Sequence, residues 1–153
     1  MSGSSPLLSE TGAARSVLRP ILVVDDDMVF RTVVSAMLQR NGHSFTACSD
    51  AEQAVEEACK IGPALLVTDL NMPGRDGLDL FTELRRRDPF LRGILVSTHL
   101  SAELLVRVAE SGIHDAIPKP LSDHYRLVEA VEHQLYEWRR WRAILRDLKR
   151  VGR

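Results

Sequence analysis

The sequence predicts an α/β domain, a doubly wound five-stranded parallel sheet followed by an extended C-terminal helix. Three observations predict it. Compact apolar runs alternate with segments of helical spacing. Three of the runs are almost wholly apolar, as in parallel strands buried on both faces. Helix-ending residues fall between the helical segments and the next run.

The elements follow in order. Residues 1–18 are rich in Ser, Gly and Ala without a sustained period and read as a flexible leader. The apolar runs are Ile21–Val24, Ser44–Cys48, Ala64–Thr68, Gly93–Val96 and the short His114–Ile117. Phe30, Val33, Val34, Met37 and Leu38 recur at one-face helical spacing, and Asn41-Gly42 ends that helix. Ala51, Ala54, Val55, Ala58 and Cys59 form the second helix, with Asp50 as N-cap and Gly62-Pro63 as its stop. Gly77, Leu80, Phe81 and Leu84 mark a third, which ends before Pro89. Leu104, Leu105 and Val108 mark a fourth, ended by Ser111-Gly112. From Ser122, read as an N-cap, helical spacing runs without Pro or Gly as far as Gly152. Each crossover between parallel strands needs a dozen or more residues, and every interval here supplies them.

Composition narrows the class. With 153 residues, 44% apolar, 27% charged and a formal net charge of −1, the chain suits one ordinary domain with a real core. That charge gives no general attraction to nucleic acid or membrane, and no run approaches the ~20 apolar residues of a membrane span. The N-terminus carries no basic-then-apolar export pattern, so a cytoplasmic location is expected. Cys48 and Cys59 read as small buried hydrophobes in a reducing compartment. The five histidines have no ligand spacing, and no Gly-rich phosphate loop is present.

Ligands of open parallel sheets bind beyond the carboxyl ends of the strands. Asp25, Asp26 and Asp27 follow the first run, Asp69 the third, Ser97 and Thr98 the fourth, and Lys119 the fifth. In the flavodoxin-like strand order 2-1-3-4-5, the first, third, fourth and fifth strands are contiguous, so these side chains converge. Clustered carboxylates raise one another's pKa unless a cation lies between them, and hard oxygen ligands suit Mg²⁺. A carboxylate beside that cation can act as a nucleophile toward a phosphoryl donor. An ammonium and a hydroxyl can then hold the transferred oxygens. Each residue has an ordinary reading by itself: Asp27 as an N-cap, Asp69 through Gly74 as a turn, Lys119 as a solvated lysine. Their coincidence at four strand ends carries the inference.

These residues resemble the response-regulator receiver domain of two-component signal transduction over roughly residues 19–136. Ile21 through Asp27 looks like the family's first strand with its acidic pair, and Leu65 through Gly74, continued by Asp76-Gly77-Leu78, like its phosphoacceptor strand and loop. Pro118-Lys119-Pro120 is similar to the lysine-proline signature, whose peptide bond is typically cis in the family. The resemblance implies that Asp69 is the phosphoacceptor and that Asp25, Asp26 and Asp69, with the Asn71 backbone carbonyl, hold Mg²⁺, Asp26 more directly than Asp25. It implies a switch hydroxyl at Ser97 or Thr98, Ser97 being favoured by the count back from Lys119, and a tuning role for His99 in the access of water. It further implies a phosphoacceptor that catalyses its own phosphorylation and dephosphorylation, with a sensor histidine kinase or phosphotransfer protein as partner. One departure stands out. The family often has Tyr or Phe three residues before the lysine, and Ala116 occupies that place, so no inward-swinging ring carries the signal.

Beyond residue 136 the last helix carries seven basic residues from Arg139 to Arg153. Trp138, Trp141, Leu145 and Leu148 continue a 3-4-3 spacing there, a short coiled-coil seam and a partner surface. Residues 137–153 are therefore expected to form a dimer helix, or a signalling helix toward an output module. A helix folded back on its own domain and an arginine-rich nucleic-acid surface are the alternatives, the latter without a visible DNA-binding motif. The rival functions are a receiver at the front of a longer output protein and a Mg²⁺-dependent phosphohydrolase, for which Asp25-x-Asp27 is suggestive but a cap has no room. A flavodoxin-like electron carrier lacks the phosphate loop after the first strand, where three aspartates would repel the cofactor.

Overall fold

The computed structural model describes residues 19–152, so the leader expected over residues 1–18 lies outside the described residues. The chain alternates β1 (Ile21–Val24), α1 (Met28–Arg40), β2 (Phe45–Cys48), α2 (Ala51–Ile61), β3 (Leu65–Asp69), α3 (Gly77–Arg87), β4 (Arg92–Ser97), α4 (Ala102–Ser111), β5 (Asp115–Pro118) and α5 (His124–Val151). The five strands form one sheet in the order β2-β1-β3-β4-β5, with every neighbouring pair parallel. This is the doubly wound order expected from the sequence.

The period of two along each central strand divides the core. Leu22, Val24, Leu66 and Leu95 face α2, α3 and α4, where Ala54, Leu80, Phe81, Leu84 and Leu104 cover them. Ile21, Val23, Leu65, Val67, Ile94 and Val96 face α1 and α5, under Val34, Leu38, Leu127, Val131 and Leu135. Side chains on both faces are buried, so β1, β3 and β4 have no polar alternation to show. Gly93 is required where β4 passes beneath α3, because a Cβ there would stand 2.5 Å from the Phe81 ring.

Asp27 and Asp50 cap their helices as expected, and Asp76 and Ser101 add two caps beyond those expected from the sequence. Asp27, Asp50, Asp76 and Ser101 accept hydrogen bonds from backbone N–H groups in the first turns of α1, α2, α3 and α4. At α5 the expected Ser122 cap is corrected to Asp123, whose carboxylate accepts from Tyr125 N at 2.9 Å. Ser122 is taken up one residue earlier, its N–H bonded to Pro120 O at 2.9 Å. Cys59 is also corrected. Cys48 is buried, but Cys59 is exposed at the edge of the α2 core face, beside the Arg87 guanidinium.

At 28 residues, α5 extends about 42 Å, more than the sheet requires. It does not leave the domain at residue 137. Trp138, expected on an outward seam, is 8% exposed and packs into the α1–α5 side of the core. The guanidiniums of Arg19 and Arg142 lie 5.7 and 5.6 Å from its ring centroid. Leu145 is half-buried. The outward apolar stripe is instead Trp141, Ile144, Leu148 and Val151. The seam keeps its 3-4-3 spacing but is rotated on the helix, because the domain takes the indole of Trp138 for itself.

Candidate functional site

The site is assembled where β1, β3, β4 and β5 end. Asp25 directly follows β1 and is buried; Asp26, one residue on, is exposed. Two backbone contacts fix this turn: Asp27 N donates to Asp25 Oδ1 at 2.8 Å, and Arg31 from α1 donates to the Asp25 carbonyl at 2.6 Å. Asp69 is the last residue of β3 and is 9% exposed, its Oδ1 accepting from Leu70 N at 2.9 Å. One carboxylate oxygen each from Asp25, Asp26 and Asp69 can be chosen so that all lie within 4.8 Å of one another. That spacing fits a single hard divalent cation between them.

Lys119 closes the site from the β5 side. Its Nζ is hydrogen-bonded to Asp25 Oδ2 and stands 3.7 Å from Asp69 Oδ1. The ammonium also lies over the Phe30 ring, 4.0 Å from its centroid. Burial pushes the Asp69 carboxyl above its ordinary pKa; the Lys119 charge opposes this, and the Asp25 charge adds to it. Two buried acids and one half-buried base leave the cluster one charge short of neutrality even before Asp26 is counted.

Ser97 and Thr98 are separated by the structure. Ser97 is fully buried at the end of β4, its hydroxyl 3.3 Å from His99 N and 3.4 Å from His99 O, whereas Thr98 is exposed. Ser97 pairs in register with Pro118, beside Lys119, and Lys119 N donates to Ser97 O at 2.8 Å. His99 is exposed beyond it, and Asn71 is exposed in the loop leaving β3. The Lys119–Pro120 peptide is cis. Ala116 is half-buried on β5, packed against the α2–α4 side of the core.

Contacts between elements complete the site. Gly77, placed by the sequence at the start of the third helix, is held there by close packing: a Cβ would stand 2.0 Å from the Asp69 carbonyl oxygen and 2.9 Å from Thr68 Oγ1. Its N–H donates to Leu70 O at 2.9 Å, which holds the start of α3 against the end of β3. Phe30 reads as a core position of α1 and Arg31 carries no sequence signal, yet both touch the acidic turn or its lysine. The signal that places them is their position in the first turn of α1, directly after the acidic run. Arg107 on α4 binds the N-cap of α3, Asp76, at 2.6 Å, a contact between elements that local sequence does not encode.

The chain belongs to the response regulator receiver domain family, whose model matches residues 21–132. The chain is 32% identical over 116 residues to the DNA-binding transcriptional regulator NtrC of Escherichia coli K12, covering 74% of this chain and 25% of that protein. It is 32% identical over 133 residues to the nitrogen assimilation regulatory protein NtrX of Azorhizobium caulinodans, covering 86% of this chain and 29% of that one. Among solved structures, NtrX from Brucella abortus in complex with ADP superposes with a TM-score of 0.78 at 30% identity, over 88% of this chain and 30% of that one. The CheY-like receiver domain from Methanospirillum hungatei, at 24% identity and a TM-score of 0.75 over 80% of this chain and 98% of that one, shares the fold. The chain thus spans about a quarter of the curated relatives it matches. No helix among the described residues is long and apolar enough to cross a membrane.

Proposed function

We propose that this receiver domain takes a phosphoryl group onto Asp69 and that the change of charge there switches its interactions. The observation that carries the reading is the meeting of Asp25, Asp26 and Asp69 within one cation's reach, with Lys119 against two of them. Asp25, Asp26 and Asp69, with the Asn71 backbone carbonyl, would hold Mg²⁺. Bound there, the ion would offset the negative charge of the cluster and would supply Lewis-acid stabilisation for phosphoryl transfer.

The remaining chemistry belongs to the chain. An Asp69 carboxylate oxygen forms the new bond to phosphorus while the bond to the donor, a phosphohistidine or an acyl phosphate, breaks and the donor leaves with its electron pair. Lys119 exchanges part of its contact with Asp25 for the added oxygens. Ser97, buried at the end of β4 with its carbonyl accepting the Lys119 N–H, supplies the hydroxyl that binds another; the exposed Thr98 is the alternative. His99 lies at the open side, where it tunes the approach of water and so the self-catalysed loss of the phosphoryl group. A sensor histidine kinase or phosphotransfer protein is the expected donor. With Ala116 in place of a ring, an inward-swinging aromatic side chain on β5 is not the relay to partners. The outward stripe of Trp141, Ile144 and Leu148, with Leu145 beside it, supports a homodimer through α5.

The test is intact mass after incubation with acetyl phosphate and Mg²⁺. One acid-labile phosphoryl group on the wild-type chain and none on Asp69→Asn supports the reading; equal labelling of both refutes it. Multiple turnover of a phosphate ester would point to a phosphohydrolase instead.

A further inference from the structure

At the opposite end of the sheet, a second group of charged residues has no part in phosphoryl transfer. Arg92 begins β4 and His114 immediately precedes β5, a strand's length from Ser97 and Lys119. With Arg85 from α3, Phe90 from the loop before β4, and Trp138 and Trp141 from α5, they line a cleft of about 260 Å³.

The cleft is rich in donors and lacks an anion. Arg92 directs Nε and Nη2 to the neutral Gln134 Oε1, at 2.9 and 2.6 Å. Arg85 donates to the Gly112 carbonyl at 2.8 Å and lies over the Phe81 ring. Neither guanidinium forms an ion pair among the described residues, and the nearby Glu137 is engaged by Arg140 at 3.2 Å. His114 Nδ1 accepts the Gly93 N–H at 3.1 Å, so its neutral ring carries its proton on Nε2. Two half-buried cations side by side repel each other unless an anion joins them. The remaining walls are aromatic: Phe90, with the Arg142 guanidinium 5.7 Å from its centroid, and Trp141, 45% exposed, with the Arg140 guanidinium 5.4 Å from its centroid, which leaves one face of each ring for a ligand. The volume falls below the roughly 300–1,000 Å³ of sites for drug-sized ligands, which suits one ring bearing one charged group.

We propose that this cleft binds a small aromatic oxyanion, its phosphate or carboxylate held between Arg92 and Arg85 and its ring lying against Phe90 and Trp141. The burial that keeps His114 neutral, with a pKa lowered to about 4 and the two arginine charges contributing, makes it a neutral donor beside that oxyanion. Occupation joins the start of β4 to the part of α5 that carries the outward stripe. A ligand there therefore bears on the presentation of Trp141 to a partner, independently of phosphorylation.

Both tryptophans of the chain line this cleft, so intrinsic tryptophan emission reports it directly. The full chain is titrated with phenyl phosphate in metal-free buffer, where the carboxylate cluster at the other rim repels the anion. Inorganic phosphate and phenol serve as the two half-ligands. A saturable emission change is expected with phenyl phosphate. Its dissociation constant should rise about tenfold or more in Arg92→Gln and in Arg85→Gln, as for loss of a charge-assisted hydrogen bond. Arg146→Gln, on the outward end of α5, should match wild type. Should Arg92→Gln fail to fold by circular dichroism, Arg85→Gln decides. No saturable change, unaltered affinity in the folded arginine variants, or inorganic phosphate binding as tightly as phenyl phosphate overturns the proposal.

Discussion

Gly77→Ala separates a site built by close packing from one merely placed near a turn. The added Cβ would stand 2.0 Å from the Asp69 carbonyl oxygen, where ordinary contact begins near 3.4 Å. Relief requires the first turn of α3 to retreat by more than an ångström, or the end of β3 to give way, because the nearest neighbour is the Asp69 backbone carbonyl and not the end of a flexible side chain. Overpacking of this kind costs roughly 1–3 kcal/mol, and loss of the Gly77–Leu70 backbone bond about 1 kcal/mol more. Alanine recovers some of this through its better helix propensity, roughly 0.5–1 kcal/mol. The net expectation is about 1–3.5 kcal/mol of lost stability in urea denaturation. The displacement also moves the Asp69 carboxylate, the proposed acceptor, and a 1 Å misplacement can cost on the order of a hundredfold in rate. Phosphorylation from acetyl phosphate, followed by intact mass, should slow by at least about tenfold. A variant within about 0.5 kcal/mol of wild type and equally fast would refute the reasoning.

Other expectations follow from the same contacts. Mg²⁺ at about 100 times its dissociation constant should stabilise the wild-type chain by about 2.7 kcal/mol, read as a rise in melting temperature, and Asp26→Ala should lose most of the shift. The folded-state pKa of His114, about 4, lies below its ordinary value, so the unfolded chain binds the extra proton first and stability falls between about pH 6.5 and pH 4. His114→Gln should flatten that part of the stability curve relative to wild type, and an unchanged slope would show that the ring does not titrate as described. Trp138→Ala should cost about 3–5 kcal/mol as a core truncation. Trp141→Glu combined with Leu148→Glu should leave denaturation nearly unchanged but convert any dimer to monomer in light scattering. The reverse assignment of effects would place the seam where the sequence alone had put it.

The elements of the fold were legible because each central strand is short, apolar and followed by punctuation. Strand limits shifted by one residue, since backbone pairing continues past the last apolar side chain, as at Asp69 and Ser97. The acidic rim was legible because strand ends of a parallel sheet gather predictably, and because Asp69 heads a loop rich in turn-forming residues. Phe30, Arg31 and Arg107 were not, since their roles arise from contacts between elements and their spacing resembles ordinary helix. Trp138 was misplaced for a related reason. A heptad pattern fixes which residues share a stripe, but the face turned inward depends on what the domain offers, here the Arg19 and Arg142 guanidiniums and the α1–α5 core. Cys59 was placed inside for the same reason, one step beyond the buried face of α2.

The most direct measurement is a crystal structure of the full chain with Mg²⁺ and beryllium fluoride, a stable mimic of the phosphoryl group. The expected result is beryllium on an Asp69 oxygen, the metal ion among Asp25, Asp26, Asp69 and the Asn71 carbonyl, and Lys119 and Ser97 each on a fluorine. Beryllium on another carboxylate, or Lys119 still committed wholly to Asp25 with no contact to the fluoride, would contradict the account.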